Sequence, residues 1–171
     1  LVPIPRGQTA IHRVSCSRPI ALAIAEGLIT ATTDVFDYGC GHGADIRYLR
    51  ARRIRANGWD PCYQPKHKLM PSHVVNLGYV LNVIESPSER NETLVRAFAL
   101  AQQVLIVAVR VEWTLADADQ YSDGVLTSRG TFQKIYGQTE FREYVETTLQ
   151  KRTHVAALGV VYVFKDDDAE A

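Results

Sequence analysis

Residues 34–45 read DVFDYGCGHGAD, and this stretch decides the fold that the sequence predicts. Its apolar start predicts a short buried strand. Gly39, Gly41 and Gly43 follow, and glycine is needed where a backbone turns sharply or approaches a ligand closely. The pattern of 45–53 then predicts a helix, whose first backbone N–H groups face the loop. A strand, a glycine loop and a helix in this order indicate a site for a nucleotide-like ligand.

Two acidic residues distinguish between the candidate ligands of this loop. A dinucleotide site has the pattern G-x-G-x-x-G, and Ala44 is tolerated in its last place, so the spacing leaves a nicotinamide cofactor open. Asp37, ahead of the first glycine, repels a pyrophosphate but suits the ammonium group of a methionine moiety. Asp60 follows the next predicted strand, where a carboxylate can accept hydrogen bonds from both ribose hydroxyls. The residues favour S-adenosylmethionine, and the plain alternative is a turn whose glycines only allow tight packing.

Strands and helices alternate along the rest of the chain. The alternation predicts an α/β domain with a mostly parallel, twisted sheet and helices on both of its faces. We expect one domain over 1–171, with an irregular N-terminal arm over 1–17 and a frayed acidic tail over 165–171. Residues 112–128 have the composition of a loop. Further strands are predicted over 54–59, 73–77, 104–109, 153–157 and 160–164, and further helices from Ser17 to about Gly27, over 86–102 and over 139–149.

The composition excludes few functions. The net charge is zero, so a nucleic-acid partner requires a local basic patch. The cysteines, Cys16, Cys40 and Cys62, lack the spacing of a disulfide framework or a zinc site, and we expect no metal. The apolar run 104–109, which no other run exceeds in length, is too short to cross a bilayer, so no membrane partner is expected. The first residues, LVPIPRGQ, lack the pattern of a signal peptide, and we expect a cytoplasmic protein.

Four stretches of the sequence together resemble a known family. The loop FDYGCGHG resembles the first motif of class I S-adenosylmethionine-dependent methyltransferases. With three later stretches it resembles the DNA phosphorothioation-associated methyltransferases. The resemblance implies a Rossmann-like fold, methyl transfer in a bacterial DNA-modification or defence setting, DNA or RNA as a partner, and a larger complex. The stretches are FDYGCGHGAD (36–45), GWDP (58–61), VVNLGYVLNVIE (74–85) and DGVLTSRGTFQK (123–134).

The resemblance also implies roles for individual residues. Asp60 would bind the ribose hydroxyls, and Asn76, Leu77 and Gly78 would line the site near the methyl group. The methionine and ribose would lie among residues of the first loop, with two of them contributing backbone atoms. The loop residues are Asp37, Gly39, Gly41 and Gly43, and the backbone atoms come from Tyr38 and Cys40.

The adenine side departs from the class I pattern. Few residues separate Asp60 from His73, so the usual helix and strand between the second and fourth strands barely fit there. We therefore expect a fold that is compact in this region. Trp59, Pro61 and Tyr63 are candidate flat walls for an adenine in place of the missing elements.

The stretch Asn76-Leu77-Gly78-Tyr79 is the candidate for catalysis. Methyltransferases that act on amino groups of bases use the motif [DNS]-P-P-[YFW] after the fourth strand, and this stretch occupies that place without the prolines. Asn76 could accept a hydrogen bond from an exocyclic amine, and Tyr79 could stack on a base. Alternatively, Asn76 satisfies loop backbone and Tyr79 packs beneath a lid.

The polar stretch TSRGTFQK, residues 127–134, is the candidate for substrate binding. Arg129, Gln133 and Lys134 could contact phosphates while Phe132 stacks on a base. In the alternative interpretation it is a solvated loop with Phe132 tucked into the core. The arginines within 47–55 are a second candidate phosphate surface, or simply a charged helix face.

These observations favour an S-adenosylmethionine-dependent methyltransferase acting on nucleic acid. A catalytically silent module that binds the cofactor or nucleic acid within a larger complex is the second hypothesis, motivated by the missing prolines. A nicotinamide-dependent oxidoreductase is a weaker third, because no convincing proton donor lies beside the loop. Glu85, ahead of Ser86, is expected to support the start of the following helix.

Overall fold

A computed structural model describes residues 3–11, 15–112 and 114–166. Its strands are β1 (Asp34–Tyr38), β2 (Arg55–Trp59), β3 (Ser72–Gly78), β4 (Ala101–Ala108), β5 (Asp119–Tyr121), β6 (Gly124–Leu126), β7 (Phe132–Gln133), β8 (His154–Ala157) and β9 (Val160–Phe164). Its helices are α1 (Arg18–Ala25), α2 (Ala44–Ala51), α3 (Pro87–Leu100) and α4 (Gln138–Leu149), with one-turn 3-10 helices at Arg6–Thr9 and Leu81–Val83.

Six strands form the main sheet in the order β2-β1-β3-β4-β9-β8. Strands β1 to β4 run parallel, and the β8–β9 hairpin closes the sheet with antiparallel pairing of β9 to β4. The predicted α/β fold with a mostly parallel sheet is therefore confirmed. Residues 60–71, between β2 and β3, contain no helix, so β2 is left at the edge. This is the compact region that the short spacing predicts.

Side chains alternate between the two faces of the sheet, and each face carries a separate apolar cluster. On one face, Phe36 and Leu105 pack with Leu94 of α3 and Phe141 of α4. On the other face, Val35, Val74 and Ile106 pack with Ile20 of α1 and Leu49 of α2. Helices cover both faces, and most residues of the inner strands β1 and β3 are therefore buried whichever face they point to.

The starts of α3 and α1 are held by different contacts. The side chain of Ser86 accepts a hydrogen bond from the backbone N–H of Glu89 at 3.3 Å and caps α3, and Glu85, directly ahead of this cap, also pairs with Arg6 of the N-terminal arm. Ser17 precedes α1 but makes no side-chain cap. Instead its hydroxyl and backbone N–H both donate to the Asp45 carboxylate at 2.6 Å, which ties the start of α1 to α2.

The segment predicted as a loop over 112–128 contains a hairpin. Strands β5, β6 and β7 form a small antiparallel sheet of their own. The prediction was wrong because the three residues of β5 are all exposed and carry no apolar period, while Gly124 in β6 is buried against Phe132. Most of the predicted frayed tail, 167–171, lies outside the described residues. Among the described helices, none has the length and apolar character needed to cross a bilayer.

Candidate active site

The carboxyl ends of β1 to β4 meet along one edge of the sheet. From β1 the chain moves outward to β2 and then returns to pair β3 on the other side of β1, so the strand order reverses between β1 and β3. Ligands of open α/β sheets bind outside the carboxyl ends at such a reversal. The strand register sets Asp37 of β1 beside Asn76 of β3 at this point.

The glycine loop between β1 and α2 uses the backbone freedom of all its glycines. The φ angles of Gly39, Gly41 and Gly43 are +80°, +53° and +78°, a region that other residues adopt only with strain. A Cβ atom on Gly39 would lie 2.5 Å from Cγ2 of Val80, so the loop and the segment after β3 approach more closely than any side chain permits. The N–H groups of Gly39 and Cys40 donate to the Trp59 carbonyl at 2.8 and 3.0 Å, which fixes the turn to β2.

Asp37 and Asn76 form a buried polar pair beneath the loop. Their exposed fractions are 5% and 1%, and Nδ2 of Asn76 donates to Oδ1 of Asp37 at 3.0 Å. The Oδ1 atom of Asn76 is buried without a hydrogen-bond partner. The amide of Asn76 therefore holds the Asp37 carboxylate in place. Its predicted catalytic role requires the orphaned oxygen to meet a substrate group.

Asp60 is the second acidic residue of the site, and its carboxylate accepts hydrogen bonds from three backbone N–H groups. One carboxylate oxygen accepts a hydrogen bond from the N–H of Gly41 at 2.9 Å, and the other accepts from the N–H groups of Cys62 and Tyr63 at 2.8 and 3.0 Å. The carboxylate thereby joins the glycine loop to the segment after β2. A carboxylate has roughly four acceptor positions, so capacity remains for a ligand donor.

A cavity of about 330 Å³ lies among these residues. This volume is within the range of ordinary small-molecule sites. Trp59, Pro61 and Tyr63 all line it, as the candidate adenine walls should. The ring of Trp59 packs on Tyr38 with centroids 5.4 Å apart, and Tyr63 packs on His42 at 4.2 Å.

Most of the predicted cofactor residues lie on the cavity wall. They are Asp37, Tyr38, Gly39, Cys40, Gly41, Asp60, Pro61, Asn76 and Gly78. Gly43 does not line the cavity and is the N-cap residue of α2. Leu77 does not line the cavity, and its side chain is fully buried in the core beside α3.

The N-terminal arm, residues 3–11, crosses the mouth of the cavity, which the sequence did not predict. The guanidinium of Arg6 donates to both oxygens of Glu85 at 2.8 Å and to both oxygens of Glu89 at 2.6 and 2.8 Å. On the opposite side, the hydroxyl of Tyr63 donates to the carbonyl of Gly7 at 2.6 Å. The arm is therefore attached to both walls of the cavity.

These contacts change the acidity of the residues that hold the arm. The hydrogen bonds from Arg6 lower the pKa of Glu89 below its ordinary value. Partial burial opposes ionisation of Glu85, but its hydrogen bonds with Arg6 outweigh that effect and its pKa is also lowered. Both carboxylates are thus ionised at neutral pH and the attachment of the arm is charged.

The segment that follows β3 forms part of the cavity wall. Tyr79 lines the cavity and has a φ of +60°, an uncommon value for a bulky residue. Its backbone N–H donates to the Ala108 carbonyl at 2.7 Å, and its half-buried ring packs against the core on the α1 face. Backbone strain of this kind is concentrated at functional sites. Asn82 and Gln133, both buried, also line the cavity and are hydrogen-bonded to each other.

Of the four predicted substrate residues, only Gln133 lies on the cavity wall. Phe132 is 1% exposed, and its ring packs edge-on against Tyr121, so no face is open for stacking on a base. Lys134 donates to Glu140 at 2.7 Å instead of facing the cavity. Arg129 is exposed on a turn away from the wall.

The basic run within 47–55 is largely used by the protein itself. Arg47 donates to the His42 carbonyl, Arg50 to the Ala56 carbonyl, and Arg55 pairs with Asp34. The side chains are therefore held along the protein surface by their own neighbours. This arrangement favours the structural interpretation over a phosphate-binding stripe.

Cys40 lines the cavity as a buried thiol. Burial, with additional repulsion from Asp37 and Asp60, raises the pKa of this thiol to about 12. The thiolate is the reactive form of cysteine, so this environment disfavours a nucleophilic role for Cys40. Within the described ranges, no group of three or more His, Cys, Asp and Glu residues is placed to hold a metal ion.

No family model matches the chain, and no curated protein matches it by sequence. Solved structures do match. A Burkholderia thailandensis 1,6-didemethyltoxoflavin-N1-methyltransferase, bound to 1,6-didemethyltoxoflavin and S-adenosylhomocysteine, has a TM-score of 0.60 and 14% identity over 87% of this chain and 77% of that one. Magnesium protoporphyrin IX methyltransferase from Synechocystis PCC 6803, bound to S-adenosylmethionine, has a TM-score of 0.55 and 16% identity over 86% and 76% of the two chains.

A third similar structure is an S-adenosylmethionine-dependent methyltransferase from Aquifex aeolicus, with a TM-score of 0.55 and 14% identity over 86% of this chain and 89% of that one. At these identities the likeness concerns the fold. The chain has the Rossmann-like fold of class I methyltransferases, as expected from the glycine loop and the order of its elements.

Proposed function

We propose that this chain is an S-adenosylmethionine-dependent methyltransferase. The observation that carries the proposal is the glycine turn between two carboxylates. Gly39, Gly41 and Gly43 all have positive φ, and their loop lies between Asp37 and Asp60 at the reversal of strand order. A cavity of about 330 Å³ opens at this place, large enough for a ligand of the size of a nucleoside with an amino-acid side chain.

The residues present fit this cofactor. Asp60 is already oriented by the N–H of Gly41 and keeps acceptor capacity for ribose hydroxyls. Asp37 places a buried carboxyl group on the cavity wall, which suits an ammonium group and disfavours a pyrophosphate. Trp59 and Tyr63 supply flat apolar surfaces. The same features argue against the nicotinamide alternative.

S-adenosylmethionine, when bound, supplies an electrophilic methyl group. The contribution of the protein is to position and desolvate the nucleophile. We assign that positioning to Tyr79, held in its strained backbone conformation, and to the unpartnered Oδ1 of Asn76, an acceptor for an N–H of the substrate. Asn76 also keeps Asp37 in register through its Nδ2 group.

The cofactor part of the proposal is tested by calorimetric titration with S-adenosylmethionine. We expect binding by the wild type and affinity lowered about tenfold or more in Asp60→Asn, because a hydrogen bond to a charged acceptor is lost. Asp119→Asn, on exposed β5, is the matched control and should bind normally. Absence of binding by the wild type, or equal affinity in both variants, would refute the assignment of the cofactor.

We further propose that the acceptor is a base of nucleic acid, in a bacterial DNA-modification or defence setting within the cytoplasm. The support is the sequence resemblance quoted above. Labelled methyl groups should pass from S-adenosylmethionine to single-stranded or duplex DNA, or to RNA, and transfer should fall strongly in Asn76→Ala. Transfer to none of these, with cofactor binding intact, would contradict the nucleic-acid part alone.

A second candidate function is a cofactor-binding module that does not transfer methyl groups. It is favoured by the burial of Asn76, whose exposed fraction is 1% and whose amide is already bonded to Asp37. Such a module would bind S-adenosylmethionine in the titration above and methylate no acceptor, alone or with a partner protein. Any methyl transfer that depends on Asn76 would reject it.

A further inference from the structure

Two stretches that are far apart in the sequence meet at the wall of the cavity. Asn82 belongs to 74–85 and Gln133 to 123–134. Nδ2 of Asn82 donates to Oε1 of Gln133 at 3.0 Å, across 51 positions of sequence. The backbone N–H of Lys134 donates to the carbonyl of Asn82 at 2.7 Å. The segment after β3 and the small sheet are thus joined by two hydrogen bonds of Asn82.

This amide pair is buried but incompletely satisfied. The exposed fractions of Asn82 and Gln133 are 1% and 9%, and both residues line the cavity. Oδ1 of Asn82 is buried and has no hydrogen-bond partner. Burying an unpaired acceptor is unfavourable, and apolar side chains of similar shape would avoid the penalty. The placement of an orphaned amide oxygen at a cavity wall therefore points to a ligand that donates to it.

The pair leaves one donor group and one acceptor for a ligand. Oε1 of Gln133 is occupied by Asn82, so Gln133 offers its Nε2 group and Asn82 offers its unpartnered Oδ1 atom, on two residues that both line the cavity. If both amides are turned by 180°, donor and acceptor exchange places and the complementarity is unchanged. The matching ligand edge has an N–H group next to an acceptor, as in the amino group and ring nitrogen of adenine or cytosine.

We infer that Asn82 and Gln133 bind the methyl acceptor by such an edge of a nucleobase. The inference rests on the proposed methyltransferase function and names the residues that select its substrate. The side-chain amides of Asn82 and Gln133 determine which substrate binds, while Asn76 and Tyr79 keep the positioning role proposed for them in methyl transfer. A free nucleoside and a base in a single-stranded oligonucleotide present the same edge.

The test is binding to the full chain saturated with S-adenosylhomocysteine, which keeps a nucleoside out of the adenine pocket. Adenosine and cytidine carry an amino group beside a ring nitrogen, and purine riboside lacks that amino group. We expect the wild type to bind at least one of the two amino nucleosides about tenfold more tightly than purine riboside. The same preference is expected when the nucleoside is placed within a short single-stranded oligonucleotide and compared with the oligonucleotide that carries purine riboside at that position. Binding only in the oligonucleotide arm identifies a polynucleotide source.

Two variants make the test specific. Gln133→Glu keeps an oxygen for Asn82 but lacks the donors, and Asn82→Asp keeps the acceptor but lacks the donor to Gln133. In each, the preference for the amino nucleoside should fall to nearly equal binding, while the affinity for S-adenosylhomocysteine, which also reports folding, stays unchanged. Gln120→Glu, on exposed β5, is the matched control and should keep the preference.

The outcomes separate this inference from the proposed function. Normal binding of S-adenosylhomocysteine without any preference for amino nucleosides or oligonucleotides would overturn the inference alone. So would a preference that survives in both amide variants. Failure of the wild type to bind S-adenosylhomocysteine would overturn the proposed function and this inference together.

Discussion

Replacement of Arg6 by glutamine should loosen the arm without unfolding the protein. Arg6 makes two hydrogen bonds to each of two carboxylates, at 2.6 to 2.8 Å. The side-chain exposures are 29% for Arg6, 26% for Glu85 and 47% for Glu89, so water screens all three. Exposed ion pairs contribute up to about 1 kcal/mol each, and we assign about 1 kcal/mol to Glu85 and about 0.5 kcal/mol to the more exposed Glu89.

The sum of about 1.5 kcal/mol corresponds to roughly a tenfold shift between attached and detached arm. Hydrogen–deuterium exchange measured by mass spectrometry reads this shift directly. Peptides covering residues 6–10, whose one-turn helix bonds Ala10 to Gly7, should exchange about tenfold faster in Arg6→Gln. Peptides of β3 and β4 should be accelerated no more than the accompanying loss of global stability requires, because their own contacts are unchanged.

Arg142→Gln is the matched control. Arg142 makes a single 3.9 Å contact with Glu146 on α4, at 49% exposure, and does not touch the arm. We expect no change in the exchange of residues 6–10 in this variant. Equal exchange in the wild type and in Arg6→Gln would show that the ion pairs do not hold the arm. Equal acceleration in both variants would show a general loss of stability instead.

Three further predictions concern stability. Gly39→Ala should lower the free energy of unfolding by about 1 to 2 kcal/mol because of the positive φ alone, and by more because the new Cβ would clash with Val80. Adding Val80→Ala to this variant should recover only the loss due to the clash, as measured by denaturant titration. Full recovery would contradict the backbone argument. Asp123→Ala leaves the guanidinium of Arg90, 4% exposed, without its carboxylate. The expected loss of unfolding free energy in urea is about 2 kcal/mol, below the usual 3 to 5 because Asp123 itself is 37% exposed, and a loss under about 0.5 kcal/mol would contradict it. Hydrogen bonds from Arg90 and Arg6 lower the pKa values of Asp123 and Glu89, respectively. The stabilisation from these ion pairs is present above the unfolded pKa values of about 4 and is lost as pH falls through the folded pKa values. The melting temperatures of the wild type and Arg6→Gln should therefore converge below about pH 4, and a difference that stays constant with pH would refute the charge pairing.

The sequence was most informative where local chemistry alone determines structure. The glycine loop was recognisable because positive φ at Gly39, Gly41 and Gly43 demands glycine, and the strands around it because both sheet faces are covered. The compact region after Asp60 followed from simple chain length. These features depend on residues that are close together in the sequence, so their patterns can be recognised from the sequence alone.

The sequence was least informative where distant segments meet. The pairing of Arg6 with Glu85 joins positions 79 apart, and that of Asn82 with Gln133 joins positions 51 apart. Nothing in the local pattern marks such polar partners. The sequence left Phe132 open between stacking on a base and packing in the core for a related reason, because its burial depends on a hairpin whose outer strand carries no apolar period. A stretch that looks like an exposed polar loop then contains a core residue.

We propose that the glycine loop and Asp60 hold S-adenosylmethionine. The most direct measurement is hydrogen–deuterium exchange with and without saturating S-adenosylhomocysteine. Bound ligand should slow exchange in peptides covering residues 38–45 and 59–63, which carry the loop and the aromatic walls, and leave β8 and β9 unchanged. Binding that leaves both of these segments at their ligand-free rates would contradict the assignment of the cofactor to this cavity.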